Sequence, residues 1–199
     1  MSFFKNIFKN KFRFSPKSGE EEASELHDDL SLDQKFVKYF IQKGGKFLYC
    51  SDLNETKSNL SHILEENEWS NVNCFDHKLQ DLLSHIESII REKIDLKMPF
   101  LTCCESLIAH DGSIMFSSKQ LQDKKLNELP NFFIVFAKTS QISKDTREGI
   151  SGIRSRSEKN TATIISSIKD YMPHKTDTDF MTYGNTNTKT LYLLLLEDL

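Results

Sequence analysis

The sequence predicts an α/β protein with three layers, α/β/α, around a mostly parallel mixed sheet. Three observations carry that expectation. Between residues 36 and 103, short apolar runs alternate with helical spacings in the order helix, strand, helix, strand, helix, strand, which is how a parallel sheet covered by helices is written. A hairpin signal at 106–116 adds antiparallel pairing. Two further apolar runs, 132–137 and 191–196, are strand-sized and bring the chain back to the sheet.

Phe36, Tyr39, Phe40 and Lys43 stand at helical spacing, and Gly44-Gly45 stops that helix. Phe47-Leu48-Tyr49-Cys50 reads as a buried strand. Asp52 and Glu55 form a capping-box pattern, and Leu53, Leu60, Ile63 and Leu64 continue the helix it opens. Residues 72–75 predict a second strand. Asp76 then caps what reads as the strongest helix, with Leu79, Leu82, Leu83, Ile86, Ile89 and Ile90 on one face. Pro99 closes it, and 100–103 is the next strand.

The stretch 105–137 holds two apolar runs joined by His110-Asp111-Gly112-Ser113, a charged connection, and a third run after Leu129-Pro130. Asp-Gly between apolar runs predicts a tight hairpin turn, because Gly tolerates the backbone angles that such turns need. A helix weakened by Gly149 and Gly152 follows at 144–157. Thr161 to Ile165 is β-branched and predicts a strand, 166–187 a long polar connection, and 191–196 the terminal strand.

A length of 199 residues suits one full-sized domain. The first 31 residues read as a flexible leader and 32–199 as the domain. In the leader, Lys5, Lys9, Lys11, Arg13 and Lys17 give way abruptly to Glu20, Glu21, Glu22, Glu25, Asp28 and Asp29, as in a solvated segment. Phe4, Phe8 and Phe12 recur every four residues there, so the basic part also reads as an amphipathic stripe able to dock on a membrane or a partner.

The net charge of −3 and pI of about 6.1 offer no global field for a polyanion, so nucleic acid is not an expected partner. No apolar run approaches the roughly 20 residues of a membrane-spanning helix. The N-terminus lacks the apolar region and cleavage site of an export signal, and a cytoplasmic location is expected. Cys50, Cys74, Cys103 and Cys104 form no C-x-x-C pair, and three of them fall in expected strands, as packed reduced thiols would. The vicinal Cys103-Cys104 should diverge across a strand, so neither a metal nor a cluster is expected.

No Gly-rich nucleotide loop and no nucleophile elbow is present. His110-Asp111 is the one His–acid neighbour pair in an expected turn beside the sheet. A carboxylate there could tune an imidazole as general base, although Asp has a plainer job as the first residue of an Asp-Gly turn. The segment 183–190 offers hydroxyls, amides, Gly184, Asn185 and Lys189, groups that cradle an anion and also make up any exposed turn. On the catalytic reading His110 or Asp111 is the base, and Gly112, Ser113, Gly184, Asn185 and Lys189 contact the ligand.

The run Leu107-Ile108-Ala109-His110-Asp111-Gly112-Ser113-Ile114-Met115-Phe116, followed by Leu129-Pro130 and an apolar strand, resembles the lactate-utilisation (LUD) domain family. The stretch 184–196 resembles the family's closing Gly-containing loop and last strand, and the resemblance covers roughly residues 36–199. His110 stands where the family usually has an acid, and Asp111 where it has Thr. The resemblance implies a fold like that of sugar-phosphate isomerases and coenzyme A transferases. It also implies a place in bacterial oxidation of lactate to pyruvate beside iron–sulfur partners; with no cluster-type cysteine motif and no nucleotide fingerprint, a non-redox role with no cofactor of its own is expected. A stand-alone enzyme or binding protein for a small anionic metabolite, such as a sugar phosphate or acyl-coenzyme A, is the alternative.

Overall fold

A computed structural model of the chain describes residues 30–79, 81–84, 86, 89–90, 93–156, 164–172 and 188–198. Residues 1–29 of the leader, with His27, and also His85, His174, Gly184 and Asn185 lie outside the described residues. From Leu32 onward the chain clusters as one unit.

Its first helix, α1 (Leu32–Gln42), buries Phe36 and Phe40 and ends at Gly44, whose φ is +88°. Strand β1 (Lys46–Cys50) follows, then α2 (Leu53–Glu66). Asp52 caps α2 by accepting the Glu55 amide at 2.8 Å, and the Glu55 carboxylate reaches back to the amide and hydroxyl of Ser51 at 2.7 Å each. Strand β2 (Val72–Cys74) leads to a single 3₁₀ turn, His77–Leu79, and β3 (Ile89–Ile90). Next come β4 (Phe100–Cys103), β5 (Ser106–Ile108), β6 (Ser113–Ser117), β7 (Phe132–Lys138) and β8 (Ile142–Ser143). Helix α3 (Thr146–Arg156), β9 (Ile165–Ile168) and β10 (Thr190–Leu196) complete the order.

Six strands form a parallel sheet in the order β1-β10-β7-β4-β2-β3. The antiparallel pairing that makes the architecture mixed is segregated into a second sheet, β8-β5-β6-β9. Side chains alternate across a strand, so each face of the large sheet has its own cover. On one face Leu194, Ile134, Leu101 and Val72 pack with Leu60, Ile63 and Leu64 of α2 and with Leu79, Leu82 and Leu83. On the other, Phe133 of β7 meets Phe100 of β4 at 5.2 Å between ring centres and Phe116 of β6 at 6.1 Å, which joins the two sheets. Helix α3 lies on the far side of the small sheet, where Gly149 lets it approach Ile108, Met115 and Ser106.

Two elements differ from the sequence expectation. The stretch after Asp76 has no α-helix among its described residues. Leu79, Leu82 and Leu83 do bury against α2, but Ile89 and Ile90 pair in parallel with Val72 and Asn73 and extend the sheet. Apolar spacing reports burial, and a chain pressed against a helix and then entering a sheet satisfies the same spacing. Of the strand expected at 161–165, residues 161–163 lie outside the described residues, Ile164 is not in a strand, and β9 runs from Ile165 to Ile168 with its register set by pairing with β6. Asn73, fully buried, holds the entry to β4 through bonds with Asp95, Met98 and Pro99.

Candidate functional site

Strands β5 and β6 form the expected hairpin, joined by a four-residue loop, 109–112. The Asp111 carboxylate accepts the Ser113 amide at 3.0 Å and its hydroxyl at 2.5 Å, the self-bonded turn that Asp favours. The other carboxylate oxygen faces the Lys169 ammonium at 3.9 Å, and the Asp111 carbonyl accepts from Lys43 at 2.6 Å. Ser113 is buried, Asp111 half-buried, and the His110 imidazole exposed. Gly112 sits under α1 at φ +68°, with its carbonyl accepting from the buried Tyr171 hydroxyl at 2.7 Å. Burial, and next the Asp111 charge, push that phenol well above its usual range.

Because Ser113 is 1 % exposed, replacing Asp111 with Ala strands two buried donors. The expected cost is about 2 kcal/mol. Asp111→Asn, which retains an acceptor, should lose distinctly less. Urea denaturation of the two variants checks the difference.

Lys189 is 3 % exposed, and its ammonium donates to the Leu129 carbonyl at 2.9 Å, 5.7 Å from the centre of the Phe133 ring. Burial pulls its pKa from 10.5 to about 8. Between those values the unfolded chain binds more protons than the folded one, so stability rises with pH. The expected rise is up to about 3 kcal/mol across the window, and none of it arises below the folded-state pKa. Lys189→Met should abolish the rise, which denaturation of both proteins at neutral pH and near pH 10 would read.

The two expected site loops meet through one short segment. Tyr171 binds the Gly112 carbonyl with its hydroxyl and the Lys43 carbonyl with its amide, and the Lys189 amide donates to Asp170 at 3.3 Å. Both loops lie where strands of the parallel sheet begin: Lys43 precedes β1, and Lys189 precedes β10. No hydrogen bond links the Lys189 ammonium to His110, Asp111 or Ser113 among the described residues.

Ligands of α/β folds gather at the opposite, carboxyl ends of the strands. There the Asp198 carboxylate accepts the Ser140 amide at 2.9 Å, the Ser140 hydroxyl at 2.7 Å and the Thr139 hydroxyl at 2.9 Å, with Lys138 at 3.8 Å. Burial alone would raise this carboxyl, but the Ser140 and Thr139 bonds outweigh it and hold it below its usual range. Gln141 donates to the Cys104 carbonyl at 2.6 Å, and Arg156 pairs with Glu105 at 3.9 Å. Burial, then the neighbouring Asp76, raises the Cys103 thiol; burial, then Glu105, raises Cys104. Both are packed, neutral thiols. The Asp198–Ser140–Thr139 cluster went unnoticed in the sequence, where the usable signal was its place just after apolar strands. An open groove of about 590 Å³ along α3 is lined by exposed residues of both charges, including Lys144, Arg147 and Glu148.

A family model described as the LUD domain matches residues 2–196. The match reaches further toward the amino terminus than the 36–199 span that the motifs cover. Among solved structures, the chain is similar to the crystal structure of a DUF162 family protein from Deinococcus radiodurans. The two are 13% identical with a TM-score of 0.60, and the likeness covers 84% of this chain and 96% of that one. At this identity it shows the fold alone. No curated protein matches the chain.

Proposed function

The chain belongs to the LUD domain family, and from that premise we propose that it is a non-redox component of bacterial lactate utilisation, acting in the cytoplasm beside iron–sulfur proteins that carry the electrons. The observation that carries this reading is the family match across nearly the whole chain, which ties it to lactate utilisation in general. The site geometry supports a binding or assembly role over chemistry at the hairpin. The Asp111 carboxylate and the Ser113 hydroxyl are bonded to each other, and the Lys189 ammonium is committed to a backbone carbonyl. At Asp111 one carboxylate oxygen is taken by the two bonds of the turn, and the other faces the Lys169 ammonium at 3.9 Å, which favours the charged, turn-forming role over that of a general base.

Affinity purification of the full-length tagged chain from cells growing on lactate tests the partnership. The reading expects iron–sulfur proteins to be retained with it and to fall away when cells grow without lactate. Recovery of the chain alone under both conditions would overturn the partnership.

A further inference from the structure

Strand β10 lies between β1 and β7, and the residues that follow it bond to both neighbours. The Glu197 amide donates to the Cys50 carbonyl at 2.9 Å, and the Glu197 carboxylate accepts from the Tyr49 hydroxyl, both at the end of β1. The Asp198 amide donates to the Thr139 hydroxyl at 3.1 Å, in the turn that leaves β7. The Asp198 side chain enters that same turn. One carboxylate oxygen takes the Thr139 hydroxyl and the Ser140 amide; the other takes the Ser140 hydroxyl and faces the Lys138 ammonium. A backbone amide, two hydroxyls and an ammonium converging on one carboxylate are the parts of an oxyanion site.

These donors are held in place by bonds that do not involve Asp198. Gln141 accepts the Lys138 amide at 2.8 Å through Oε1 and donates to the Cys104 carbonyl at 2.6 Å through Nε2, which ties the turn to the end of β4. The Ile142 amide closes the turn on the Thr139 carbonyl, and Thr139 is buried. Removing the Asp198 carboxylate therefore leaves a formed nest whose donors want an acceptor. The Lys138 and Asp198 side chains are 50 % and 21 % exposed, so a solute can reach the nest from the surface. It stands at the carboxyl ends of two adjacent parallel strands, where α/β folds place their ligands.

We propose that Lys138, Thr139 and Ser140 form a carboxylate-binding site that the chain fills with its own Asp198, an internal occupant that an external carboxylate must displace. The ligand class is read from that occupant, since donors answer both of its oxygens. Asp198 is tethered beside the nest by its own amide and by Glu197, which gives it a high effective concentration. An external carboxylate therefore competes only when it brings further contacts or when residues 197–198 lift from the sheet. The proposal stands on these contacts and is independent of the lactate-utilisation reading.

Chemical rescue in the full chain tests this. Asp198→Ala should lower the urea midpoint, and sodium acetate should restore it saturably, whereas sodium chloride at matched ionic strength should not. Wild type should show no saturable acetate response, because its nest is filled. In amide NMR spectra of the variant, acetate should move the Ser140 resonance most. Adding Ser140→Ala should weaken the acetate response at least about fivefold. Asp198→Asn, which keeps the side-chain shape without the charge, gives the same readout if the alanine variant does not fold. No acetate effect beyond that of chloride in the variants, or equal effects in variant and wild type, would overturn the proposal.

Discussion

Replacing Gly112 with Ala should destabilise the domain by about 3–5 kcal/mol, far more than a loop substitution ordinarily does. Its φ of +68° is a conformation that L side chains rarely adopt. A Cβ there would also stand 2.5 Å from the Phe40 amide nitrogen and 2.7 Å from the Tyr39 carbonyl carbon. These are backbone atoms of α1, which cannot swing aside as a side-chain tip would. The helix must lift, and Phe36 and Phe40, both fully buried, lift with it. His110→Ala, two residues away at an exposed position, should change stability by no more than about 0.5 kcal/mol. Chemical denaturation of the two variants reads the contrast directly, and equal midpoints would contradict the tight seating of α1 on the turn.

Phe133→Ala is the second large effect, expected at about 3–5 kcal/mol. Phe133 is fully buried and lies between the parallel sheet and the small sheet, touching Phe100 and Phe116. Removing the ring leaves a cavity at the seam and takes away the aromatic face near the Lys189 ammonium. The alkaline stabilisation expected of Lys189 should change in the same variant, because the ammonium loses its favourable neighbour. A denaturation midpoint near that of wild type would mean that the two sheets do not depend on this contact.

Five of the six strands of the parallel sheet were legible as short, largely apolar runs, and β3 was not. Phe47-Leu48-Tyr49-Cys50 and 191–196 lie side by side in the sheet, as parallel neighbours covered on both faces require. The hairpin was legible from Asp111-Gly112, although its second requirement, room for the backbone of α1, is a tertiary fact absent from any local pattern. The stretch 76–90 misled because helical spacing of Leu and Ile is also produced by a chain that buries one side against α2 and then joins a sheet edge. The candidate site was harder to read. Lys189 drew attention by its composition, but its burial and its place at the amino end of β10 emerge only when β10 inserts between β1 and β7. The meeting of Asp198 with Thr139 and Ser140 follows from strand order, which one sequence does not display.

The central claim, that this LUD-domain chain serves lactate utilisation, meets its most direct test in growth. A strain lacking the gene should fail or slow on lactate as sole carbon source, grow normally on glucose, and recover on lactate when the full chain is restored. Equal growth of deleted and restored strains on lactate would contradict the claim.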